Sequence, residues 1–255
     1  MKITFLGTGT SQGVPVIACD CRVCMSDDPR DKRLRTSLLL EENNIIVVFD
    51  AGPDFRQQML REKVIRLDAI ILSHEHRDHI SGMDDVRAFN YKMQDAIDIY
   101  AEKRVLKTIK KEYSYVFAEK KYPGIPEMRL NEISLKSFSV KGLEILPVRA
   151  FHMKLPILGF RVGNFAYITD ANKVPEESKK KLRGVKYLVV NALRKEKHIS
   201  HFSLDEAIDF IEEISPLQAY LTHVSHQMGL YSEISKELPY GITLAYDGLT
   251  VSFDQ

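Results

Sequence analysis

Apolar positions along this 255-residue chain fall into short runs, and most of the runs read as β-strands. In the first half, residues 2–6, 36–41, 44–49 and 68–72 are rich in β-branched and large apolar side chains. In the second half, residues 143–148, 159–162, 166–169, 187–191, 219–221 and 243–245 repeat the pattern. Two segments change period. Residues 54–62 place Phe55, Met59 and Leu60 on one helical face, and residues 204–214 place Leu204, Ala207, Ile208, Ile211 and Ile214 at helical spacing. Ser203, with Glu206 three residues on, has the spacing of a capping box for the second helix. Residues 83–121 are more charged and read as more helical. Two strand-rich halves with helices between them predict an α/β fold of two sheets packed face to face, covered outside by helices. No Pro/Gly/Ser-rich linker, low-complexity stretch or fixed repeat interrupts the pattern, so residues 1–255 read as one domain.

Hydrophobic residues make up 44% of the chain and charged residues 28%, enough apolar material for a full core. The net charge of +1 produces no field that would draw the protein to nucleic acid or an anionic membrane. No apolar run approaches the ~18 residues of a membrane span, and the chain starts directly in a strand-like segment with no signal peptide. A cytoplasmic protein with no membrane partner is therefore expected. Cys19, Cys21 and Cys24 are the only cysteines and lie within six residues of one another. An odd, crowded set argues against a disulfide framework and for thiolate ligation of a metal.

The densest chemistry is His74-Glu75-His76-Arg77-Asp78-His79, directly after the strand-like 68–72. Imidazole and carboxylate hold Zn²⁺, Mn²⁺ or Fe, and several on one short segment favour chelation. Four ligands do not complete a two-metal site, which needs a bridging carboxylate and further donors. His152, Asp170 and His223 each follow an apolar run, the same context as the hexapeptide. The loop Gly7-Thr8-Gly9-Thr10-Ser11-Gln12-Gly13 after the first strand matches no nucleotide-binding pattern, and reads either as a tight turn or as a wall of the site. Asp50, before Ala51-Gly52-Pro53, suits a turn.

Taken together, His74-x-His76-x-Asp78-His79, His152, Thr169-Asp170 and Thr222-His223 resemble the metallo-β-lactamase superfamily over essentially the whole chain. The resemblance implies a four-layer αββα sandwich with a dinuclear site at the edge between the sheets. It implies that His74, His76 and His152 hold one metal, that Asp78, His79 and His223 hold the second, and that Asp170 bridges them. Thr8-Gly9-Thr10-Ser11, Cys19-x-Cys21-x-x-Cys24 and His201-Phe202-Ser203 are similar to the PhnP-type branch, the phosphoribosyl cyclic phosphate phosphodiesterases and their relatives. By that resemblance Cys19, Cys21, Cys24 and His226 bind a structural zinc. By the same resemblance His201 is the general acid for the leaving alkoxide; the plainer reading is a residue at the start of the helix that follows Phe202-Ser203. Asp50 becomes a carboxylate orienting a metal-bound imidazole. His198 has no assigned role.

The activity expected is metal-dependent hydrolysis of small phosphodiesters, cyclic ribose or nucleotide phosphates above all. Two divalent cations, Zn or Mn, would make hydroxide available, and His201 and Asp78 are the residues expected to be catalytic. The alternatives are a tRNA 3′-processing endoribonuclease and a thioester hydrolase of the same superfamily. Lys103, Arg104, Lys107, Lys110, Lys111, Lys120 and Lys121 lend the first some support, but no long Gly/Pro-rich arm is present and the net charge argues against nucleic acid as a partner. Relatives of this kind are often dimers, so a homodimer is one expected form.

Overall fold

In the computed structural model, which describes residues 1–120 and 122–253, fourteen strands form two seven-stranded mixed sheets. The first is built from β1 (Lys2–Gly7), β2 (Ser37–Glu42), β3 (Ile45–Phe49), β4 (Ala69–Ile71), β5 (Ile97–Glu102) and β6 (Met128–Ile133). The second contains β7 (Phe138–Val140), β8 (Leu143–His152), β9 (Leu155–Val162), β10 (Phe165–Ile168), β11 (Tyr187–Asn191), β12 (Gln218–Thr222) and β13 (Ile242–Leu244). The chain then returns to the first sheet as β14 (Thr250–Ser252), beside β1.

Alternation along the strands explains the layers. Leu38, Leu40, Val47, Phe49, Ala69 and Ile71 point to a core shared with Leu158, Phe160, Phe165, Tyr167 and Val189 of the second sheet. Phe49 packs between Phe160 and Tyr167, with ring centroids 5.4 and 5.6 Å away. The intervening Leu39, Val48 and Ile70 face the opposite way, against Phe55, Met59, Phe89, Val105 and Ile109 of the helices α1 (Phe55–Arg61), α3 (Arg87–Met93) and α4 (Lys103–Glu112). Ala166, Ile168, Leu188 and Val190 pack outward against α5 (Glu176–Leu182), α6 (Leu204–Ile214) and α7 (Tyr231–Glu237). The result is the helix–sheet–sheet–helix sandwich expected from the sequence. Neighbouring parallel pairs β3–β4, β4–β5, β10–β11 and β11–β12 bring their C-terminal ends to the same edge. The short helix α2 (Arg77–Ile80) begins inside the hexapeptide and ends one residue beyond it.

The sequence patterns hold best where burial is one-sided. Helix α6 has the bounds expected of it, and the Ser203–Glu206 capping box is formed on both sides. Three patterns needed correction. Strand β8 runs on to His152, so that residue ends a strand and does not lie in a loop beyond one. Residues 83–121 contain α3 and α4, but also β5, whose alternation of buried and half-buried positions is that of a strand. In α1, Leu60 is 60% exposed while Gln58 takes the inward place and donates from Nε2 to the Arg35 carbonyl at 2.9 Å. Among the described residues no helix is long and apolar enough to cross a membrane.

Candidate metal centre

The residues of interest sit where strands end. Asp50 follows β3, His74 lies three residues past β4, His152 closes β8, Asp170 lies two residues past β10, and His223 follows β12. Asp50, Asp170 and His223 all have left-handed backbones, with φ of 60°, 58° and 55°. Asp and His tolerate this region better than most residues, yet each such turn costs on the order of 1–3 kcal/mol and persists where the surroundings enforce it. Three of them at one edge mark a built site.

The side chains converge on Asp170, which is buried. Its Oδ1 lies 2.9 Å from His223 Nε2, and its Oδ2 lies 3.3 Å from His79 Nε2, 3.6 Å from His201 Nε2 and 3.7 Å from His74 Nε2. Asp78 Oδ2 is 3.2 Å from His79 Nε2 and 3.8 Å from His223 Nε2. These spacings bracket the ~3.4 Å edge of a tetrahedron of N and O donors at about 2.1 Å from a central ion. The buried Nε2 atoms of His74, His79 and His223 make no hydrogen bond and all lie 2.9–3.7 Å from the Asp170 carboxylate, so they turn to a common centre. The donor set therefore fits a metal.

The seven expected dinuclear ligands are thus brought together, in a pattern that refines the expected split. Asp78, His79, Asp170 and His223 form one group of ligand atoms within 4.8 Å of each other, and His74, His76 and Asp170 form a second. His152 gathers with Asp170 and His201, its ring 5.1 Å from that of His76. Asp170 belongs to all three groups. His74, His79 and His223 are buried, whereas His76 is exposed and His152 and His201 are half-buried, so the site opens on the His76–His152–His201 side.

Asp50 is completely buried behind the site. Its Oδ2 lies 2.9 Å from His79 Nδ1, and its carboxylate accepts from Ser73 N at 2.8 Å and from Ser73 Oγ at 2.9 Å. Ser73 Oγ in turn contacts His74 Nδ1 at 2.9 Å. One carboxylate thus stands behind the far nitrogens of two imidazoles, directly at His79 and through Ser73 Oγ at His74, an arrangement that sets ring orientation. Tyr167 donates its hydroxyl to the same carboxylate at 3.4 Å. His152 Nδ1 is held by the Asp170 carbonyl at 2.9 Å. Asn191 clamps Ala171, accepting from its N–H at 2.7 Å and donating to its carbonyl at 2.9 Å, which fixes the turn carrying Asp170. Sequence reasoning found Asp50 but missed Ser73, Tyr167 and Asn191. The available signal for these three was position alone, a polar group in or just past an apolar strand.

Electrostatics tie the cluster together. Burial opposes charge on His79, but Asp170, Asp78 and Asp50 hold its pKa well above the usual range. Burial likewise opposes charge on His223, yet Asp170 and Asp78 raise it to about 9. Asp170 stays ionised far below the usual carboxylate range, because His223 and His79 outweigh its burial. His74, buried and beside His79, is pushed well down. Burial lowers His201 to about 4 against the pull of Asp170. Carboxylates crowded at one edge with only imidazoles to offset them make a cation-seeking pocket.

The cysteines form a separate cluster. Cys19, Cys21 and Cys24 Sγ lie 3.3, 3.3 and 3.6 Å from His226 Nδ1. Zinc bonds of about 2.3 Å to sulfur and 2.0 Å to nitrogen place tetrahedral S and N donors ~3.5 Å apart, so all four expected donors fit one ion. The Cys24 backbone N–H contributes most to lowering Cys21 to about 6, while burial raises Cys24 to about 11. The cluster joins the loop at 19–24 to the turn after His223, close to α7.

Four backbone N–H groups of loop 7–13 are taken up inside the protein and do not form an anion cradle. The backbone N–H groups of Gly9, Thr10 and Gly13 bond to the carbonyls of Leu34, Val224 and Thr10, and that of Thr8 to Asp247. In α4 the inward residues are Val105, Leu106 and Ile109, and Lys103, Lys107, Lys110 and Lys111 form a solvated face. Arg104 is engaged by Glu75 and by the Pro156 carbonyl. Lys121 of this basic run lies outside the described residues.

Comparison with known proteins agrees with this geometry. The family model described as the β-lactamase superfamily domain matches residues 46–224. The chain is 40% identical over 258 residues to an octanoyltransferase of Porphyromonas gingivalis, but it spans only about half (52%) of that relative's length. A crystal structure of a diphosphatase from the PhnP family is 36% identical, with a TM-score of 0.93 over 99% of this chain and 96% of the other. The short form of human tRNase Z shares the fold, with a TM-score of 0.73 and 20% identity over the whole of both chains. An Asp170-centred cluster on this sandwich and the match to the family model lead to one assignment: the chain belongs to the metallo-β-lactamase superfamily of metal-dependent hydrolases, in its PhnP-type branch.

Proposed function

We propose that this hydrolase is a dinuclear phosphodiesterase acting on small phosphodiesters, with cyclic ribose or nucleotide phosphates as the favoured class. His74, His76 and His152 would hold one divalent cation, Asp78, His79 and His223 a second, and Asp170 would bridge them; Cys19, Cys21, Cys24 and His226 would hold a structural zinc. When bound, the two active-site cations lower the pKa of a water, so that hydroxide is at hand near neutrality, and offset charge on a phosphate oxygen.

The observation that carries the proposal is His201. Its Nε2 faces Asp170 at 3.6 Å on the open side of the site, outside the seven donors. An alkoxide leaves phosphorus poorly unless it is protonated, and a half-buried imidazole beside the reacting centre is suited to protonating it. Hydroxide oxygen forms the new bond to phosphorus, the bond to the alkoxide oxygen breaks, and that oxygen takes the proton from His201 Nε2. Burial keeps His201 neutral in the free site, and the negative phosphoryl group of a substrate supplies the charge that favours its protonated form. Likeness to the PhnP-family diphosphatase supports chemistry at phosphorus.

A second proposal, thioester hydrolysis, draws support from the octanoyltransferase name of the longer relative. A substrate panel separates the two. Protein loaded with Zn²⁺ or Mn²⁺ is expected to hydrolyse bis-p-nitrophenyl phosphate and a ribose cyclic phosphate, and to leave an octanoyl thioester intact. Cleavage of the thioester alone would overturn the phosphodiesterase assignment.

A further inference from the structure

His198, three residues before His201, carries no role in the chemistry so far. Its ring lies 5.2 Å from that of His201, and the two Nδ1 atoms are 3.2 Å apart. The backbone N–H of Ser200 points at His198 Nδ1 at 3.4 Å. A backbone N–H can only donate, so His198 Nδ1 is bare and can only accept. Ser200 Oγ lies 3.1 Å from His198 Nδ1 and 2.9 Å from His201 Nδ1, so it can donate to the first and accept from the second; both routes are satisfied when His201 Nδ1 carries the hydrogen. That leaves His201 Nε2, the nitrogen facing Asp170, as the one that meets a departing group.

The loop is built to keep this arrangement. Arg194 donates to Gln227 Oε1 at 2.6 Å and to the carbonyls of Glu196 and Lys197 at 3.3 and 3.2 Å. Asn172 Nδ2 holds the Ile199 carbonyl at 2.9 Å, and Phe202 N–H bonds to the Ala171 carbonyl at 2.8 Å. The segment between Arg194 and Phe202 is therefore pinned at both ends and in the middle. Residues locked in this way hold a catalytic ring within the tolerance that proton transfer demands.

We propose that His198 is the positioning residue of His201: it accepts the Nδ1–H bond, fixes the ring and its tautomer, and thereby directs Nε2 at the leaving oxygen. This rests on the phosphodiesterase assignment for its kinetic consequence but not for its geometry. The test compares two substrates in the metal-loaded enzyme, one leaving as p-nitrophenolate and one as a simple alkoxide. His201→Ala is expected to lower kcat for the alkoxide substrate by about 10²–10⁴. His198→Ala is expected to lower it by about 10–100-fold at unchanged KM, with a loss on the p-nitrophenyl substrate at least about tenfold smaller. His198→Asn, whose amide oxygen can accept the same hydrogen, should recover most of the rate.

Nitrogen-15 NMR of the imidazoles supplies a readout free of turnover. His201 should be the Nδ1–H tautomer in the wild type and a mixture in His198→Ala. Equal losses on both substrates, no loss in His198→Ala, or an Nε2–H tautomer in the wild type would overturn the positioning role. A wild type that hydrolyses no phosphodiester would instead overturn the proposed function, and the NMR result would still decide the geometry.

Discussion

Replacing Asp50 by Asn isolates the carboxylate that stands behind two imidazoles. The change is nearly isosteric, and Asn accepts the φ of +60° at this position, so the backbone is not disturbed. Asp50 reaches His79 Nδ1 at 2.9 Å with one oxygen and Ser73 N at 2.8 Å with the other. Asn has one acceptor. If its oxygen keeps Ser73, its NH₂ meets the His79 Nδ1–H, and two donors face each other in a buried place. A charge-assisted bond of this kind contributes about 1.5–3 kcal/mol, and ~2 kcal/mol corresponds to roughly 30-fold in affinity. Competition with a chromogenic chelator should therefore show active-site metal bound about 30-fold more weakly. Metal at the cysteine cluster, which Asp50 does not touch, serves as the internal control. Active-site affinity within about twofold of wild type would refute the role given to Asp50. So would an equal loss at both clusters, which would signal damage to the fold.

Other outcomes follow from the same geometry. Asp170→Ala removes the one donor common to all three groups and should lower phosphodiester hydrolysis by more than about 10³, read with bis-p-nitrophenyl phosphate. Cys21→Ser should leave one metal fewer per chain by elemental analysis. A site held at a hundredfold excess over its Kd stabilises by about 2.7 kcal/mol, so the thermal midpoint should fall by roughly 5–10 °C. Ser203→Ala breaks the capping box of α6, a loss of about 1 kcal/mol that calorimetry should register as a fall of about 2–4 °C. Binding of a structured RNA over a salt series should be weak and show a shallow slope, because the α4 lysines form only a solvated face; a steep slope would favour the endoribonuclease alternative.

Legibility from the sequence followed the physics of each feature. His74, His76, Asp78 and His79 stand out because four donors in six residues have few other uses, and Asp170 and His223 because each ends an apolar run. Helix α6 was legible because one face alone is buried and its cap is a local motif. Strand β5 was hidden, since its half-buried positions carry Asp98 and Glu102 and it lies between charged helices. Leu60 and Gln58 exchanged their expected places because the Arg35 carbonyl gives the glutamine amide a buried partner, which hydropathy cannot register. Ser73 looks like any polar residue after a strand, and Tyr167 looks like core. Their tie to Asp50 exists only once β4 and β10 are brought to the same edge. His198 was unassigned because its partner is set by the fold of the loop and not by helical or strand spacing.

The most direct measurement is the metal content per chain of the protein as isolated, by elemental analysis before and after mild chelation. Three metal ions are expected at first, falling to one as the cations at His74, His76, Asp78, His79, His152, Asp170 and His223 are withdrawn and the thiolate-bound ion at Cys19, Cys21, Cys24 and His226 stays. A single ion per chain before chelation would contradict the two-cluster arrangement.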